Sequence, residues 1–147
     1  MAAFHVRARE RDPMKRKLVL LLALAAVAAT EPRTIWDGVY SSDQVARGKK
    51  AYAAECASCH GTALEGIDDS PALVGAVFHK KWDGKSVGRL IDVTRRTMPT
   101  DTPGTLSRQV CTDIVVYMLD ANGFPTGKAD LAPDAPDLRQ LLIEPKK

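Results

Sequence analysis

Cys56-Ala57-Ser58-Cys59-His60 is the stretch that decides how this sequence is interpreted. Two cysteines stand three positions apart, and a histidine follows the second one directly. This C-x-x-C-H spacing is the attachment signature of a c-type haem. The two thiols must reach the two vinyl groups of one porphyrin from the same side, and the histidine must then present its imidazole to the iron. The motif therefore predicts one haem c, covalently held through Cys56 and Cys59 and ligated by His60.

Three other kinds of site share the C-x-x-C part of this motif. A thioredoxin-like redox pair requires a βαβ context, and no strand pattern precedes Cys56. A zinc site requires a second pair of ligands, whereas Cys111 and His79 stand isolated from each other. A plain disulfide between Cys56 and Cys59 leaves the role of His60 unexplained. Haem attachment is the interpretation that uses all three residues of the motif.

The second axial position of the iron has three candidate ligands, Met98, Met118 and His79. Met118 lies on the apolar stripe of a predicted helix, which favours core packing. His79 lies in a basic stretch, which favours an exposed side chain. Met98 precedes Pro99 at a predicted helix end, where its side chain can project across a pocket. Met98 is therefore the expected sixth ligand. A His/Met pair suits electron transfer and fills both axial positions, which argues against an enzyme.

Helical patterns dominate the rest of the sequence, and no strand pattern competes with them. Ser41-Ser42-Asp43-Gln44 has the S-x-x-Q form of a capping box and predicts a helix through Glu55. Apolar spacing predicts a second helix after Ser86, which ends at Met98-Pro99 because the residue before proline is pushed out of the helical region. Ser107 is the predicted N-cap of a third helix over residues 108–121. A turn of helix is expected around residues 76–81.

Three helices with long loops and only 5% aromatic residues make a thin core. Small domains of this kind need a staple or a filler. A haem supplies that filler, so we expect an all-α fold in which three main helices surround one covalently bound haem.

The chain also resembles a known family. Cys56 to His60, followed by Pro71-Ala72-Leu73-Val74-Gly75 and then Thr97-Met98-Pro99, is similar to the class I monohaem cytochromes c. The resemblance covers residues 45–123. It implies the class I cytochrome c fold, a hydrogen bond from His60 to the carbonyl of Pro71, and packing of Leu73 on the haem.

The same resemblance implies how the first and last helices pack. Gly48 and Tyr52 of the first helix would meet Ile114 and Tyr117 of the last. A glycine in a helix interior costs roughly 1 kcal/mol, so a packing reason is expected for Gly48.

A narrower resemblance extends through the second half of the chain. The stretches at 82–85, 97–99, 106–107, 113–115 and 122–125 look like the small cytochromes c associated with quinoprotein (PQQ-dependent) dehydrogenases. This implies an electron donor of that class. It also implies that Trp82 hydrogen-bonds a haem propionate, although a core-capping role for Trp82 remains open. The sequence departs from the pattern at Cys111, where a buried small hydrophobe is expected and an exposed or intermolecularly bonded thiol is the alternative.

The N-terminal third of the sequence is interpreted as a targeting segment. The chain has 147 residues, with 21 Lys and Arg against 18 Asp and Glu. Residues 14–29 combine a basic cluster, a short apolar run and small residues, the pattern of a cleavable secretory signal, and residues 1–13 are expected to be a mis-called extension. The predicted mature chain carries 15 basic and 16 acidic residues. Residues 30–40 are then an irregular lead, 41–128 the cytochrome c domain, and 129–147 a tail with a short helix near 138–143.

These features together predict a periplasmic electron carrier. Its partners would be a donor dehydrogenase and an acceptor cytochrome or oxidase. The mixed charge excludes a nucleic-acid binder. The apolar run at residues 18–29 is too short to span a membrane, and no stable membrane span is expected once the signal is cleaved. The alternatives are a haem enzyme or gas sensor with a labile sixth ligand, a carrier for a different periplasmic oxidoreductase, and a thiol-disulfide protein.

Overall fold

A computed structural model describes residues 33–145. The expectations for residues 1–13 and 14–29 lie outside this part of the chain. The described elements are a 3-10 helix at Ile35–Asp37 and five α-helices: α1 (Ser42–Glu55), α2 (Ala57–His60), α3 (Gly75–Trp82), α4 (Val87–Thr97) and α5 (Arg108–Ala121). Within the described residues no strand forms, and β-pairing is limited to isolated bridges. The predicted all-α fold with three main helices is confirmed.

Serine side chains begin the three main helices, as the sequence predicts. Ser41, Ser86 and Ser107 have extended backbones and accept hydrogen bonds from amide groups three residues further on. Each bond satisfies one of the amides that the first turn of a helix leaves without a partner. Helix α4 ends at Met98, whose backbone is extended (φ −125°, ψ 148°), as expected for a residue that precedes proline.

The predicted capping box at the start of α1 is only half present. Ser41 accepts from the Gln44 amide at 3.1 Å, but the Gln44 side chain does not reach back to the cap. It is fully buried and bonds across the fold instead, to Asp113 at 2.9 Å and to both backbone groups of Leu131. Gln44 therefore joins α1 to α5 and to the C-terminal segment, because a buried amide must find partners wherever the fold supplies them.

Helices α1 and α5 cross closely at Gly48. A Cβ atom at this position would lie 1.9 Å from the Asp113 carbonyl oxygen and 3.0 Å from the Cβ of Tyr117. Beside the crossing, the rings of Tyr52 and Tyr117 lie 5.4 Å apart. The packing reason expected for Gly48 is confirmed, since only a residue without a side chain allows this approach.

Residues 129–145, which we call the C-terminal segment, form part of the core. No helix forms near 138–143; residues 136–140 are turns, with one helix-like bond from the Leu141 amide to Asp137 at 2.9 Å. The segment nevertheless buries four apolar side chains: Leu131, Leu138, Leu141 and Ile143. The expectation of a short helix is wrong because the carbonyl groups of Leu138, Leu141 and Ile143 accept hydrogen bonds from amides in residues 84–88 instead of from amides further along the segment.

No helix among residues 33–145 combines the length and the apolar character needed to cross a bilayer.

Candidate functional site

The C-x-x-C-H motif folds as a single helical turn. The amides of Cys59 and His60 both bond to the Cys56 carbonyl, at 3.1 and 2.9 Å. Side chains at positions i, i+3 and i+4 of a helical turn share one face. The spacing of the motif therefore brings two thiols and one imidazole to the same side of the chain, as attachment and ligation of one porphyrin require.

His60 is buried, and its ring is held by one hydrogen bond. Nδ1 lies 2.9 Å from the carbonyl oxygen of Pro71. Because a carbonyl only accepts, Nδ1 carries the proton and donates, which leaves the lone pair of Nε2 free for a metal. The Pro71 contact implied by the family resemblance is therefore present. Such a partner fixes the tautomer and the orientation of a ligating histidine.

The loop that carries Pro71 is folded back on the motif. The Gly66 amide bonds to the His60 carbonyl at 2.8 Å, and the Leu73 amide bonds to the Leu64 carbonyl at 2.8 Å. Tyr52 of α1 donates its hydroxyl to the Gly61 carbonyl at 2.7 Å. These bonds hold the loop on the helix that precedes it, so the Pro71 carbonyl keeps its position beside the imidazole.

A cavity of about 590 Å³ adjoins the motif. Cofactor pockets have volumes of about 300–1,000 Å³. All seven residues singled out from the sequence line it: Cys56, Cys59, His60, Pro71, Leu73, Trp82 and Met98. Leu90 of α4 and Ile114 of α5 add apolar walls. The cavity thus brings His60 and Met98 to one site, although they are 38 positions apart in the sequence.

Met98 lies in the cavity wall at the C-terminal end of α4. Its amide bonds to the Thr94 carbonyl at 2.9 Å, which completes the helix, and its extended backbone then turns the chain away. The residue is partly buried, as is Pro99 beside it. A thioether in this position can face a metal held by His60, because it is attached where the helix stops rather than between packed helices.

The other two ligand candidates have different positions. Met118 is 3% exposed on α5, as expected of a core residue, but it also lines the cavity, which its place on an apolar stripe did not reveal. His79 does not line the cavity. Its Nδ1 lies 2.9 Å from the Asp83 carboxylate, and its ring contacts Phe78 and Phe124. The side chain of His79 is 34% exposed, so the expectation of an exposed histidine holds in part.

The three cysteines are free thiols. Burial, together with the neighbouring Glu55 carboxylate, raises the pKa of the Cys56 thiol to about 11. Redox-active thiols have lowered pKa values instead, because the thiolate is the reactive form. Cys111 is completely buried on α5, and burial raises its pKa as well. The expectation that Cys111 behaves as a small buried hydrophobe is confirmed.

These residues fit a covalently attached haem. Two thiols and an imidazole share one helical face, and a thioether lines the same cavity. The Nδ1 atom of the imidazole is hydrogen-bonded to Pro71, so that Nε2 is left to bind a metal. The Trp82 ring is 5% exposed and also lines it. Sulfur and imidazole are the donor set of His/Met-ligated haem iron, and the apolar walls suit a porphyrin face.

Comparison with known proteins agrees with this assignment. A family model described as cytochrome c oxidase, cbb3-type, subunit III matches residues 43–118. Among solved structures, the chain is similar to the sulfane dehydrogenase SoxCD from Paracoccus pantotrophus, with a TM-score of 0.50 and 28% identity. That match covers 74% of this chain and 61% of the other, so this chain spans less than two thirds of its structural neighbour. No curated protein matches. The family match, added to the C-x-x-C-H turn and the helical fold, shows that this chain belongs to the cytochrome c family.

Proposed function

We propose that this protein is a periplasmic single-haem electron carrier, with Cys56 and Cys59 as attachment points and His60 and Met98 as axial ligands. The observation that carries the proposal is the meeting of these four side chains in one cavity. Haem iron supplies reversible one-electron chemistry, and its His/Met ligation favours electron transfer over substrate binding.

The remaining residues of the site have supporting roles. The hydrogen bond with Pro71 orients the His60 ring and raises its basicity as a ligand. Leu73, Leu90 and Ile114 exclude water from the cavity walls. A protein sets the reduction potential of haem iron partly through a low local dielectric constant and partly through the axial ligands.

Met98 is favoured over Met118 by the backbone that carries each residue. Met98 stands at a helix end with an extended backbone, so its side chain can reach into the cavity without disturbing a helix. Met118 lies within α5 and is buried against the core. Loss of Met98 should therefore open the iron, whereas loss of Met118 should mainly reduce stability.

The electron donor is proposed to be a periplasmic dehydrogenase. The stretches shared with cytochromes c of quinoprotein (PQQ-dependent) dehydrogenases support a donor of that class. The similarity to the sulfane dehydrogenase SoxCD supports a sulfur-compound dehydrogenase as the second candidate. In either case the chain works beside the donor or as a subunit of it, and passes the electron to a cytochrome or oxidase.

The periplasmic location is proposed from the sequence at residues 14–29, which has the pattern of a cleavable signal. Cell fractionation and intact-mass measurement of the native protein test it. We expect a periplasmic protein that begins near residue 30 and carries the added mass of one haem. A cytoplasmic protein that retains residue 14 would refute this location.

The haem assignment is tested on protein produced in a host with haem-attachment machinery. A pyridine haemochrome assay after denaturation and acid extraction should show one covalent haem per chain. The Cys56→Ala, Cys59→Ala double variant is the matched control and should retain none. If the wild-type chain carries no covalent haem, the proposed function is wrong and a thiol-disulfide role replaces it.

The axial ligands are tested with carbon monoxide. The reduced wild-type protein should not bind it at neutral pH, because both axial positions are filled. Met98→Ala should bind it readily and have a lower reduction potential, whereas Met118→Ala should retain the Met–iron charge-transfer band of the ferric protein. Ready binding by the wild type would support the haem enzyme or gas sensor instead.

The donor is identified by copurification from the native host. Recovery of a PQQ-containing dehydrogenase that reduces the purified cytochrome supports the first candidate, and recovery of a dehydrogenase active on sulfur compounds supports the second. Reduction by neither class would refute both.

A further inference from the structure

The charged side chains that line the cavity are unevenly divided. Among the described residues, Glu55, Asp69 and Asp101 are the lining acids, and Lys81 is the only lysine or arginine that lines it. A haem brings two propionate carboxylates into this surrounding. A partly buried carboxylate is stable when a cation or a hydrogen-bond donor faces it. Lys81 is the one side chain in the described lining that can supply a permanent positive charge.

Lys81 stands at the C-terminal end of α3 beside a second donor. Its Nζ atom lies 5.7 Å from the centroid of the Trp82 ring, within the range of about 6 Å over which a cation is attracted to an aromatic face. Lys85 lies over the same ring at 5.9 Å and donates to the Lys81 carbonyl oxygen.

Both donors are available to a ligand. Within residues 33–145, the Lys81 ammonium forms no ion pair and the Trp82 indole N–H donates no hydrogen bond. The two residues are adjacent, and both line the cavity. An ammonium and an indole N–H side by side match the two kinds of donor that a carboxylate accepts best, one charged and one directional.

The C-terminal segment fixes the backbone next to this pair. The Gly84 amide bonds to the Ile143 carbonyl at 2.8 Å, the Ile143 amide to the Lys85 carbonyl at 2.9 Å, and the Val87 amide to the Leu141 carbonyl at 2.9 Å. These bonds hold the turn that directly follows Trp82. The end of α3 is therefore anchored from a part of the chain that lies outside residues 43–118, the region that the family model covers.

We propose that Lys81 is a cofactor-binding residue whose ammonium pairs with a haem propionate beside the Trp82 indole N–H. This inference rests on the proposed haem site. A cation near the iron favours the ferrous state, because that state carries one positive charge fewer than the ferric state. Removal of the Lys81 charge should therefore lower the reduction potential.

The test compares three variants of the haem-loaded protein, Lys81→Gln, Lys81→Arg and Lys80→Gln. Lys80 is the matched control, because it is the neighbouring lysine on α3, is exposed and does not line the cavity. Midpoint potentials are measured at neutral pH and about 0.1 M ionic strength, where the Debye length of about 10 Å leaves a direct ion pair largely unscreened.

We expect Lys81→Gln to shift the reduction equilibrium at least threefold toward the ferric state relative to Lys80→Gln. For a one-electron couple a tenfold change is about 59 mV, so this shift is about 30 mV. Lys81→Arg should restore the wild-type potential because it keeps the charge. The potential is the decisive measurement, since a purely structural role of Lys81 would change the unfolding temperature without this charge dependence.

Three outcomes overturn the inference: equal potentials for Lys81→Gln and Lys80→Gln, a higher potential for Lys81→Gln, or no restoration by Lys81→Arg. A haemochrome assay on each variant separates the two proposals. Full covalent haem with an unchanged potential refutes the role of Lys81 alone, whereas absence of haem from the wild type refutes the proposed function and this inference with it.

Discussion

The crossing of α1 and α5 makes Gly48→Ala a demanding test of the packing. The added Cβ would lie 1.9 Å from the Asp113 carbonyl oxygen and 2.6 Å from the carbonyl carbon. These are backbone atoms of a helix interior, so no side-chain rotation can relieve the overlap. The two helices must move apart by about 1.1 Å to bring the shorter distance to 3.0 Å, the closest approach that real Cβ atoms show.

Two opposing contributions set the size of the effect. Alanine is favoured over glycine in a helix by about 1 kcal/mol. Forcing an extra carbon into a well-packed interior costs about 1–3 kcal/mol, and occasionally more. The cost of the overlap at Gly48 lies at the upper end of this range. Separating the helices also stretches the buried bond of 2.9 Å between Gln44 and Asp113. We expect a net loss of about 2 kcal/mol, which lowers the unfolding temperature by roughly 10 °C.

The assay is guanidinium unfolding of the haem-loaded protein, followed by far-UV circular dichroism. Lys49→Ala is the control, because Lys49 is the exposed neighbour on the same helix and its replacement should leave stability within about 0.5 kcal/mol. If Gly48→Ala is as stable as the wild type, or more stable, the close crossing is not a constraint and helix propensity decides this position instead.

Four further predictions concern residues away from the attachment motif. Leu141→Ala should cost about 2–5 kcal/mol by equilibrium unfolding, because a fully buried leucine leaves a cavity; a neutral result would make the C-terminal segment dispensable. Met118→Ala should cost a similar amount, and unchanged stability would remove its core role. Cys111→Ser should cost about 1–3 kcal/mol by burying an unpaired hydroxyl, with the haemochrome yield unchanged; a lower yield would instead link this thiol to haem attachment. Hydrogen bonds from Ser41 and then Arg47 lower the pKa of Asp130, so its stabilising contribution exists above its unfolded pKa of about 3.9 and is lost as the pH falls through the lower folded value. The difference in unfolding temperature between the wild type and Asp130→Asn should therefore be present at pH 7 and shrink below about pH 4, and a difference that grows in acid would contradict this.

The features that the sequence predicted well depend on neighbours along the chain. Serine caps act on amides three residues away, and Pro99 acts on the residue directly before it. The C-x-x-C-H motif is likewise local, because one helical turn brings Cys56, Cys59 and His60 to a single face. Such short-range geometry is largely independent of how the rest of the chain packs, so pattern and structure agree.

The features that the sequence did not predict depend on distant partners. Gln44 fits a capping box, yet its amide bonds to Asp113 and Leu131, which are 69 and 87 residues away. The sequence suggested a short helix near 138–143, whereas the structure ties this stretch to residues 84–88 by backbone hydrogen bonds. A local pattern cannot show which long-range partner offers the better bond.

Helical periodicity also does not show which residues of an apolar stripe face the core and which border a cavity. It placed Met118 on the buried face of α5, but not on the part of that face that borders the cavity. The sequence pattern likewise does not single out Lys81, since only the folded chain shows that it lines the cavity beside Trp82. The signal that could have found it is its position directly before the tryptophan implied in propionate binding.

The two ends of the described chain meet on one side of the protein. Arg33 pairs with Asp137 at 2.6 Å, and the Trp36 indole donates to the Glu144 carbonyl at 3.0 Å. None of the residues that line the cavity comes from either end, since all lie between Ala54 and Met118. A partner domain joined to either end would therefore be attached on the same side of the protein. The fold can accept such a fusion, or a circular permutation that joins its ends, without rebuilding the haem site.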